Sequence, residues 1–346
     1  MSDKLNIAVV GCGYWGPNLI RNFNNLSDCQ VTMACDTSQD RLAHMKSLYP
    51  QVKTTTSFAE VVGNAEVHAV AIATPISSHY PLAKLCLESG KHIFVEKPFA
   101  ASVAECWDLL NIAERNELVI MVGHTFIFTP SVQFIKELIT SGELGEIYSI
   151  NSARLNLGLF QQDINVAWDL APHDLSIIMH LLDETPMSVN CQGTAHVHSQ
   201  LEDVTNMSLY FQSGAFASIQ SSWLDPNKIR KMTIVGSKRM VVYDDIEPME
   251  KIKIYDKSVE VPAHYDTFGE FQYSYHYGDM QAPFIRQVEP LKVECQHFLD
   301  CIKTGQRPKT SGWDGLKVVS ILEASSESLK QGGNRVELPL DEKVGA

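Results

Sequence analysis

Three glycines spaced as G-x-G-x-x-G form the pattern best suited to chemistry: Gly11, Gly13 and Gly16. They follow a short apolar run and precede a helical pattern, a context in which a pyrophosphate can approach the backbone at a helix N-terminus. Asp36 ends the next apolar run, about 20 residues further on, where a carboxylate accepts hydrogen bonds from an adenosine ribose. The spacing predicts NAD binding, with NADP disfavoured because Asp36 would repel its 2′-phosphate. The alternative is a glycine turn that binds no ligand.

Lys97 directly follows another apolar strand pattern, 92–95. Ligands of parallel α/β folds bind beyond the carboxyl ends of the strands, so the Lys97 ammonium is placed to reach a bound substrate. Oxidation of a secondary alcohol sends a hydride to the cofactor and leaves charge on oxygen, which an ammonium can stabilise. The alternative is an ion pair between Lys97 and Glu96.

Asp169 and His173 form a D-x-x-x-H pattern further along the chain. His173 follows Pro172, a residue favoured in the first turn of a helix. The helix dipole there disfavours positive charge, so we expect a neutral imidazole that can accept a proton near pH 7. Asp169 is expected to orient the ring or to bind a hydroxyl. The alternative for His173 is a capping or core histidine.

Other polar side chains near this pattern are candidates for holding a hydroxylated ligand. They share either one face of a strand pattern or the stretch before Asp169, and comprise Ser152, Arg154, Asn156, Asn165 and Trp168. Arg154 suits a structural ion pair equally well. We also expect the run 277–279 to form a loop near the site. His196 and His198 alternate on a strand pattern without a third ligand, so no metal site is expected.

Strand and helix patterns alternate over the first third of the chain. Strands are expected at 5–10, 31–35, 52–55, 68–73, 92–95 and 119–122, with helices between them. Short apolar strands that alternate with helices predict a parallel sheet covered on both faces. Right-handed crossovers are expected between the strands.

After Gly123 the pattern changes to hairpins. The expected strand pairs are 207–211 with 216–223, 232–235 with 240–243, and 252–255 with 259–261, and two helices follow at 291–303 and 315–330. The fold class is therefore α/β, with an N-terminal Rossmann domain over 1–124 and a C-terminal α+β domain over 125–346. The second domain is expected to be built on a large, mainly antiparallel open sheet.

Composition limits the function classes. The 346 residues are 45% apolar and carry a net charge of −13. The absence of a basic excess argues against nucleic-acid binding, and no apolar run approaches the ~20 residues of a membrane span. The eight cysteines include no Cys-x-x-Cys pair, and the N-terminus enters a strand pattern without a secretory signal. We therefore expect reduced thiols and a cytoplasmic protein.

Several motifs together resemble the glucose–fructose oxidoreductase, inositol 2-dehydrogenase and rhizopine catabolism family (Gfo/Idh/MocA). The resemblance spans nearly the whole chain. The motifs are the glycine pattern, Thr74-Pro75 with His79, Gly90-Lys91-His92 leading to Glu96-Lys97-Pro98, the pair Asp169 and His173, and the closing pattern of Phe298, Ile302, Gly305, Arg307-Pro308 and a last helix. The family often has an Asn or Arg after the sixth strand, where this chain has Gly123-His124-Thr125-Phe126.

The resemblance implies an active site between a Rossmann domain and an open-sheet domain. Lys97 would be the family's active-site lysine, with His173 and Asp169 as its acid/base pair. The implied cofactor contacts are Gly11, Cys12, Gly13, Tyr14, Trp15, Asp36, Thr74, Pro75, His79, Glu96, Lys97, His124 and Trp168. The expected substrate contacts are Lys97, Arg154, Asn156, Asn165, Asp169 and His173.

The leading hypothesis is an NAD(P)-dependent oxidoreductase that acts on a secondary hydroxyl or keto carbon of a sugar or sugar nucleotide. An inositol or free-sugar catabolic dehydrogenase is the second hypothesis. A non-catalytic NAD(P)-binding sensor belongs to a different class, and the joint presence of Lys97, Asp169 and His173 argues against it. We expect a homodimer or homotetramer, because an open sheet is usually covered on its outer face.

Overall fold

A computed structural model describes residues 4–260 and 274–339. The chain forms two compact units. The first contains the residues up to Phe128 together with Val288–Glu323, and the second contains Thr129–Gln287 together with the residues from Ala324 onward. The expected boundary after residue 124 lies close to the first of these divisions. Sequence reasoning did not anticipate that residues 288–323 return to the first unit.

The N-terminal part of the first unit alternates strands and helices as expected. In chain order the elements are β1 (Leu5–Val10), α1 (Gly16–Asn24), β2 (Cys29–Cys35), α2 (Gln39–Leu48), β3 (Lys53–Thr55), α3 (Phe58–Val62), β4 (Ala69–Ile72), α4 (His79–Glu88), β5 (His92–Glu96), α5 (Val103–Arg115) and β6 (Ile120–Gly123). The strands pair in parallel in the order β3-β2-β1-β4-β5-β6. This is the strand order of a Rossmann fold, in which the order reverses between β1 and β4.

The remaining elements follow a short 3₁₀ turn at Thr125–Phe128. In chain order they are α6 (Pro130–Thr140), β7 (Ile147–Leu155), α7 (Val166–Leu182), β8 (Ser188–Thr194), β9 (Val204–Tyr210), β10 (Phe216–Ser222), β11 (Ile229–Gly236), β12 (Met240–Asp244), β13 (Ile252–Glu260), β14 (Ser274–Gln281), α8 (Pro290–Thr304), α9 (Gly312–Lys330) and β15 (Val336–Glu337). No helix in the described part of the chain is both long and apolar enough to cross a bilayer.

The second sheet has the order β14-β13-β12-β11-β7-β10-β9-β8-β15. Every pair in it is antiparallel except β7 with β10. The predicted fold class, a Rossmann domain followed by a mainly antiparallel open sheet, is confirmed. Two of the three predicted hairpins are present, β9 with β10 and β11 with β12.

The third predicted hairpin is wrong. Residues 252–260 form one continuous strand, β13, which pairs with β14. The run Asp256-Lys257-Ser258 contains no glycine or asparagine to support a tight turn, so the polar residues stay in the extended strand. Residues 277–279 lie within β14 and not in the expected loop, because pairing with β13 keeps this glycine-containing run extended. His196 and His198 lie outside the strands, and the His196 ring binds Asp203 at 2.7 Å.

Helix α8 belongs to the first unit because its apolar face completes that core. The rings of Phe23 from α1, Phe94 from β5 and Phe298 from α8 meet edge to face, with centroids 5.8–6.4 Å apart. All three side chains are fully buried. Such contacts among large aromatic side chains dominate the stability of a core. The core of the first unit therefore requires residues from both its N-terminal part and α8, which are far apart in sequence.

Candidate active site

The glycine turn, residues 11–15, connects β1 to α1 and leaves space for a ligand at Gly13. A Cβ on Gly16 would lie 1.9 Å from the carbonyl oxygen of Gly11, so only glycine allows the helix to pack this closely on the turn. A Cβ on Gly13 would meet only the Nη1 of Arg41, at 3.8 Å. Gly13 therefore presents open backbone at the start of α1, which fits the approach of a pyrophosphate.

Tyr14 and Trp15 immediately precede the first residue of α1. Their side chains are exposed and contact each other edge to face, with ring centroids 5.4 Å apart. Their backbone N–H groups belong to the end of the helix where donors are not used within the helix. The position suits the predicted contribution of backbone N–H groups to a pyrophosphate.

Asp36 lies directly after β2 and is held in place by the turn. Its Oδ2 accepts a hydrogen bond from the Cys12 N–H at 2.6 Å, and its Oδ1 accepts one from the Ser38 N–H at 2.8 Å. The side chain is 4% exposed and lies 3.6 Å from the Nη1 of Arg41. The structure thus brings together two predicted cofactor residues, Cys12 and Asp36.

His79, predicted as a cofactor contact, has a structural position. Its two ring nitrogens face the carbonyl oxygens of Thr74 and Pro98, each at 2.8 Å. The ring is buried, and burial lowers its pKa. The neutral ring carries one N–H, which donates to one of these two oxygens, and the ring lies between the segment after β4 and the segment after β5.

Glu96 and Lys97 stand at the carboxyl end of β5. Glu96 is buried, and burial raises its pKa to about 7 against the opposing effect of the Lys97 charge and backbone N–H. Lys97 is half-buried. A carboxyl group with this pKa changes charge near neutral pH, so the local charge around Lys97 depends on pH.

A further buried polar group lies at the end of β6. His124 is 1% exposed, and among the described residues neither of its ring nitrogens has a hydrogen-bond partner. Burial, together with the Lys97 charge, lowers its pKa to about 3, so the ring is neutral. His124 is thus a buried polar side chain whose ring nitrogens make no hydrogen bond to the described residues, which is uncommon for buried polar groups.

Sequence reasoning missed Glu294 on α8. Its Oε2 accepts a hydrogen bond from the Thr125 hydroxyl at 2.7 Å, and the side chain is fully buried. Burial and the charge of Glu96 raise its pKa well above the usual range. The available signal was a glutamate within the apolar stripe of the helix predicted at 291–303.

In the second unit, α7 begins earlier than expected. Asn165 caps it: its side chain accepts a hydrogen bond from the Trp168 N–H at 3.1 Å and donates one to Glu202 at 2.8 Å. Pro172 therefore lies inside the helix and not in its first turn, so the expected effect of the helix dipole on His173 does not apply. Asparagine is a strong N-cap, and this signal outweighs the proline.

Asp169 and His173 are four residues apart on α7 and so share one face of the helix. Both are partly exposed. The indole Nε1 of Trp223 donates to the Asp169 Oδ2 at 3.0 Å. Trp223 is 1% exposed and packs tightly against Gly158, where a Cβ would lie 2.6 Å from the ring. Sequence reasoning did not identify Trp223.

Arg154, predicted to bind substrate, forms a buried ion pair. Its Nε and Nη2 donate to the Asp174 carboxylate at 2.8 and 3.2 Å, and Ser152 donates to the same carboxylate at 2.8 Å. The Arg154 side chain is 7% exposed. The group attaches α7 to β7. The Asp174 carboxylate accepts all three of these hydrogen bonds.

Other predicted contacts in the second unit also have internal partners. The Trp168 Nε1 donates to the Ser326 hydroxyl at 2.9 Å, and Asn165 serves as the helix cap described above. Asn156 is half-buried directly after β7, and its backbone bonds to Ser222 and Asp225. Of the substrate residues predicted in this unit, Asn156, Asp169 and His173 are partly exposed, whereas Arg154 and Asn165 are buried.

Comparison with known proteins decides the family. Residues 5–124 match an oxidoreductase family with an NAD-binding Rossmann fold, and residues 132–242 match the Gfo/Idh/MocA C-terminal domain. The chain belongs to the Gfo/Idh/MocA oxidoreductase family. The resemblance inferred from the motifs is confirmed, and so is NAD as the cofactor of the first unit.

Relatives in this family match over nearly the whole chain. Myo-inositol 2-dehydrogenase from Thermotoga maritima is 22% identical over 352 residues, which cover 99% of this chain and 100% of that protein. The structure of UDP-N-acetylglucosamine 3-dehydrogenase from Acidithiobacillus ferrooxidans matches with a TM-score of 0.80 at 22% identity, covering 95% and 99% of the two chains. Aldose-aldose oxidoreductase from Caulobacter crescentus matches with a TM-score of 0.82 at 20% identity, covering 97% and 100%. At these identities the structures support the fold alone.

Proposed function

We propose that this member of the Gfo/Idh/MocA family transfers a hydride between NAD and a secondary hydroxyl or keto carbon of a sugar or sugar nucleotide. The observation that supports it most is local to the first unit. Lys97 follows β5 at the carboxyl edge of the sheet, the edge that also carries the glycine turn and Asp36. An ammonium at this edge is where a bound substrate oxygen needs stabilisation.

The proton chemistry is assigned to three side chains. When bound, NAD supplies the hydride acceptor or donor. Lys97 donates a hydrogen bond to the reacting oxygen, and His173 accepts the hydroxyl proton in the oxidation direction. Asp169, whose Oδ2 is fixed by Trp223, orients the imidazole or binds a neighbouring hydroxyl. The proposal requires Lys97 and His173 to act on the same substrate.

The remaining predicted contacts divide into ligand and scaffold residues. We assign the cofactor contacts to Gly11, Cys12, Gly13, Tyr14, Trp15, Asp36, Thr74, Pro75, Glu96, Lys97 and His124. His79, Trp168, Asn165 and Arg154 are assigned to the scaffold because their polar atoms are used within the protein. Asn156 is proposed as a hydroxyl contact beside Asp169 and His173.

The names of the relatives favour a carbohydrate-type substrate. The similarity to myo-inositol 2-dehydrogenase supports a free polyol as the alternative substrate class. The similarity to UDP-N-acetylglucosamine 3-dehydrogenase supports a sugar nucleotide. A cofactor-binding sensor without turnover is the alternative of another class. The three predict different behaviour towards the same set of compounds.

The test is a turnover screen with purified protein, NAD, and panels of UDP-sugars, dTDP-sugars, free sugars and inositols. The formation of reduced nicotinamide is followed by absorbance. We expect turnover in the sugar or sugar-nucleotide panel, and a loss of kcat/KM of about 10²–10⁴-fold in Lys97→Ala. Lys84→Ala is a control lysine, because Lys84 pairs with Asp108 between α4 and α5.

The outcomes are distinct. Turnover of inositol alone favours the catabolic alternative, and NAD binding without turnover on any panel favours the sensor. An active Lys97→Ala variant with unchanged kcat/KM on the substrate found would refute the assigned mechanism. Equal losses in Lys97→Ala and Lys84→Ala would indicate a general structural effect.

We also propose that the protein is cytoplasmic and forms a homodimer or homotetramer through the outer face of the second sheet. The eight cysteines are free and buried, which suits a reducing compartment. The outer face carries a depression of about 500 Å³ lined by polar side chains such as Asn151 and Lys231 together with apolar ones such as Met207 and Ile229. Light scattering coupled to size exclusion measures the oligomeric state, and a monomer at all concentrations would contradict this assembly.

A further inference from the structure

Two buried carboxyl groups flank the turn that follows β6. Glu96, at the end of β5, pairs in register with Gly123, where a Cβ would lie 3.1 Å from the Glu96 Oε2. Glu294, on α8, accepts a hydrogen bond from the Thr125 hydroxyl at 2.7 Å. The two carboxyl groups therefore reach residues 123–125 from β5 and from α8, within the first unit.

Burial limits the charge that the two carboxyl groups can carry. Glu294 is fully buried and Glu96 is 7% exposed. The Glu294 Oε1 makes no hydrogen bond to the described residues. Moving one carboxylate out of water is costly, and a second like charge nearby raises that cost further. The site therefore accommodates one negative charge far more readily than two.

Of the two carboxyl groups, Glu96 ionises first. Burial raises the pKa of Glu96 to about 7, and the charge and backbone N–H of Lys97 hold it from rising further. Burial, opposed by the Thr125 hydroxyl and reinforced by the Glu96 charge, raises the pKa of Glu294 well above the usual range. Near neutral pH the proton therefore stays on Glu294, while Glu96 exchanges its own proton with solvent.

Two further titratable groups close to the pair stay neutral. Burial and the Lys97 charge lower the pKa of His124 to about 3. Burial raises the pKa of the Cys295 thiol, beside Glu294 on α8, well above its usual range. Lys97 is the cation whose charge acts on Glu96.

The ionised form of Glu96 lowers the stability of the fold. The folded protein holds this proton up to about pH 7, whereas the unfolded chain releases it at lower pH, so ionisation favours unfolding. A neutral glutamine would avoid this loss. Strongly perturbed carboxyl groups of this kind cluster at functional sites, and this one adjoins the proposed active-site lysine.

We propose that Glu96 and Glu294 act as one buried carboxyl pair, which holds a single proton and a single negative charge next to Lys97. The charge on Glu96 keeps the Lys97 side chain in its ammonium form, and the neutral acid of Glu294 limits the pair to that one charge. Both are positioning residues in this role, because they act on the reacting oxygen through Lys97. The effect on turnover rests on the proposed function, whereas the charge of the pair does not.

Infrared difference spectroscopy tests the proton count through the C=O band of protonated carboxyl groups between about pH 5.5 and 8.5. The wild type should lose one such band near pH 7 and keep another at the highest pH. Glu96→Gln should abolish the loss, and Glu294→Gln should abolish the band that persists. The control is Glu114→Gln, at an exposed glutamate of α5. Loss of both bands or of neither in the wild type would overturn the inference.

Competitive acetylation read by mass spectrometry tests the coupling to Lys97, since only an uncharged amine reacts. At about pH 8, Lys97 should react about tenfold faster in Glu96→Gln than in the wild type, because the countercharge is gone. Lys84, which pairs with Asp108, is the reference in the same sample. Glu294→Gln keeps the charge on Glu96 and should change the Lys97 rate less than about twofold. An unchanged rate in Glu96→Gln would disprove the coupling.

Turnover tests the positioning role on the substrate found by the screen. Glu96→Gln should lower kcat/KM about tenfold at about pH 8 and much less at about pH 6, where the wild-type carboxyl is also uncharged. Equal losses at both pH values would indicate a packing effect and overturn this role. If NAD binds but no compound turns over, the proposed function fails, and the infrared and acetylation results still decide whether the charge pair exists.

Discussion

The turn after β1 is proposed to bind the cofactor, and helix α7 carries the proposed proton-transfer residues. The roles of residues in the turn could be predicted from the sequence more accurately than those around α7. In the turn, close backbone contacts require two of the glycines: a Cβ on Gly11 would lie 2.5 Å from the Ala73 carbonyl oxygen, and one on Gly16 would lie 1.9 Å from that of Gly11. Around α7, polar side chains with the right chemistry divide between ligand and scaffold roles. Asp169 keeps a ligand-type position, whereas Arg154 and Asn165 hold the helix in place.

The difference shows what a motif constrains. A glycine pattern reflects close backbone contacts, and these contacts determine the backbone conformation of the turn. A polar residue in a strand pattern indicates only that a hydrogen bond forms at that position, not which group is the partner. In the second unit such a side chain can hydrogen-bond to another protein residue as well as to a ligand, because buried polar groups need partners. If this contrast holds, substitutions in the core beneath the turn should change stability, whereas substitutions around α7 should separate scaffold residues from ligand-binding residues.

The largest expected effect concerns the core that supports the glycine turn. Phe298→Ala removes a fully buried ring that contacts Phe23 and Phe94, and should lower the free energy of unfolding by about 4 kcal/mol. Denaturant titration measures it. Phe284→Ala, at a side chain 79% exposed, is the matched control and should change stability by less than about 0.5 kcal/mol. Similar losses in both variants would disprove the role assigned to α8.

The second prediction tests the scaffold role of Arg154. Asp174→Ala leaves the guanidinium buried without its carboxylate, and should lower the free energy of unfolding by about 3 kcal/mol. The double variant Arg154→Met with Asp174→Leu removes both charges and should recover most of that loss. Chemical denaturation compares the two variants. If Asp174→Ala is neutral and sugar affinity falls instead, Arg154 belongs with the ligand residues.

The third prediction uses the buried carboxyl at the end of β5. The folded protein keeps the Glu96 proton up to about pH 7, whereas the unfolded chain loses it near 4.5, so the wild type should lose stability as pH rises between these values. Glu96→Gln has no proton to lose. Relative to the wild type it should therefore gain about 2 kcal/mol between about pH 5.5 and 7.5. Thermal unfolding at a series of pH values measures this difference, which a pH-independent offset would contradict.

The smallest prediction concerns the support of Asp169. Trp223→Phe keeps the packing but removes the indole N–H that binds the carboxylate, and should cost about 1 kcal/mol of stability. On the substrate found by the screen it should lower kcat/KM about fivefold, since the Asp169 carboxylate loses its orientation. Trp168→Phe removes a comparable bond to Ser326 and should leave kcat/KM nearly unchanged. Equal kinetic effects would mean that Trp223 is only structural.

Features that depend on neighbouring residues could be predicted from the sequence, whereas features that depend on residues distant along the chain could not. The alternation of strands and helices and the parallel sheet of the first unit follow from local periodicity, so they could be predicted. The third hairpin was predicted wrongly because β13 continues through residues 256–258 and pairs with β14, a strand that begins only at Ser274. The start of α7 was predicted too late because Pro172 was taken as a first-turn residue, whereas Asn165, considered only as a ligand contact, caps the helix.

Side-chain roles were harder to predict than elements. The partners of Arg154, Trp168 and Asp169 lie 20, 158 and 54 residues away along the chain. No pattern in a single sequence reports such pairings. Glu294 was overlooked for the same reason, because its neighbours Thr125 and Glu96 come from an earlier part of the chain.

The position of α8 has a consequence for synthesis. Phe298 fills the layer against Phe23 and Phe94, so a nascent chain that has passed residue 128 still exposes that apolar layer. The ribosome must add the entire intervening unit before the missing helix emerges. Domains usually fold as they are made, in order from the N-terminus. We therefore expect the first unit to complete its core only after the second unit has been synthesised, and a chain that ends before α8 to expose the apolar surface of Phe23 and Phe94.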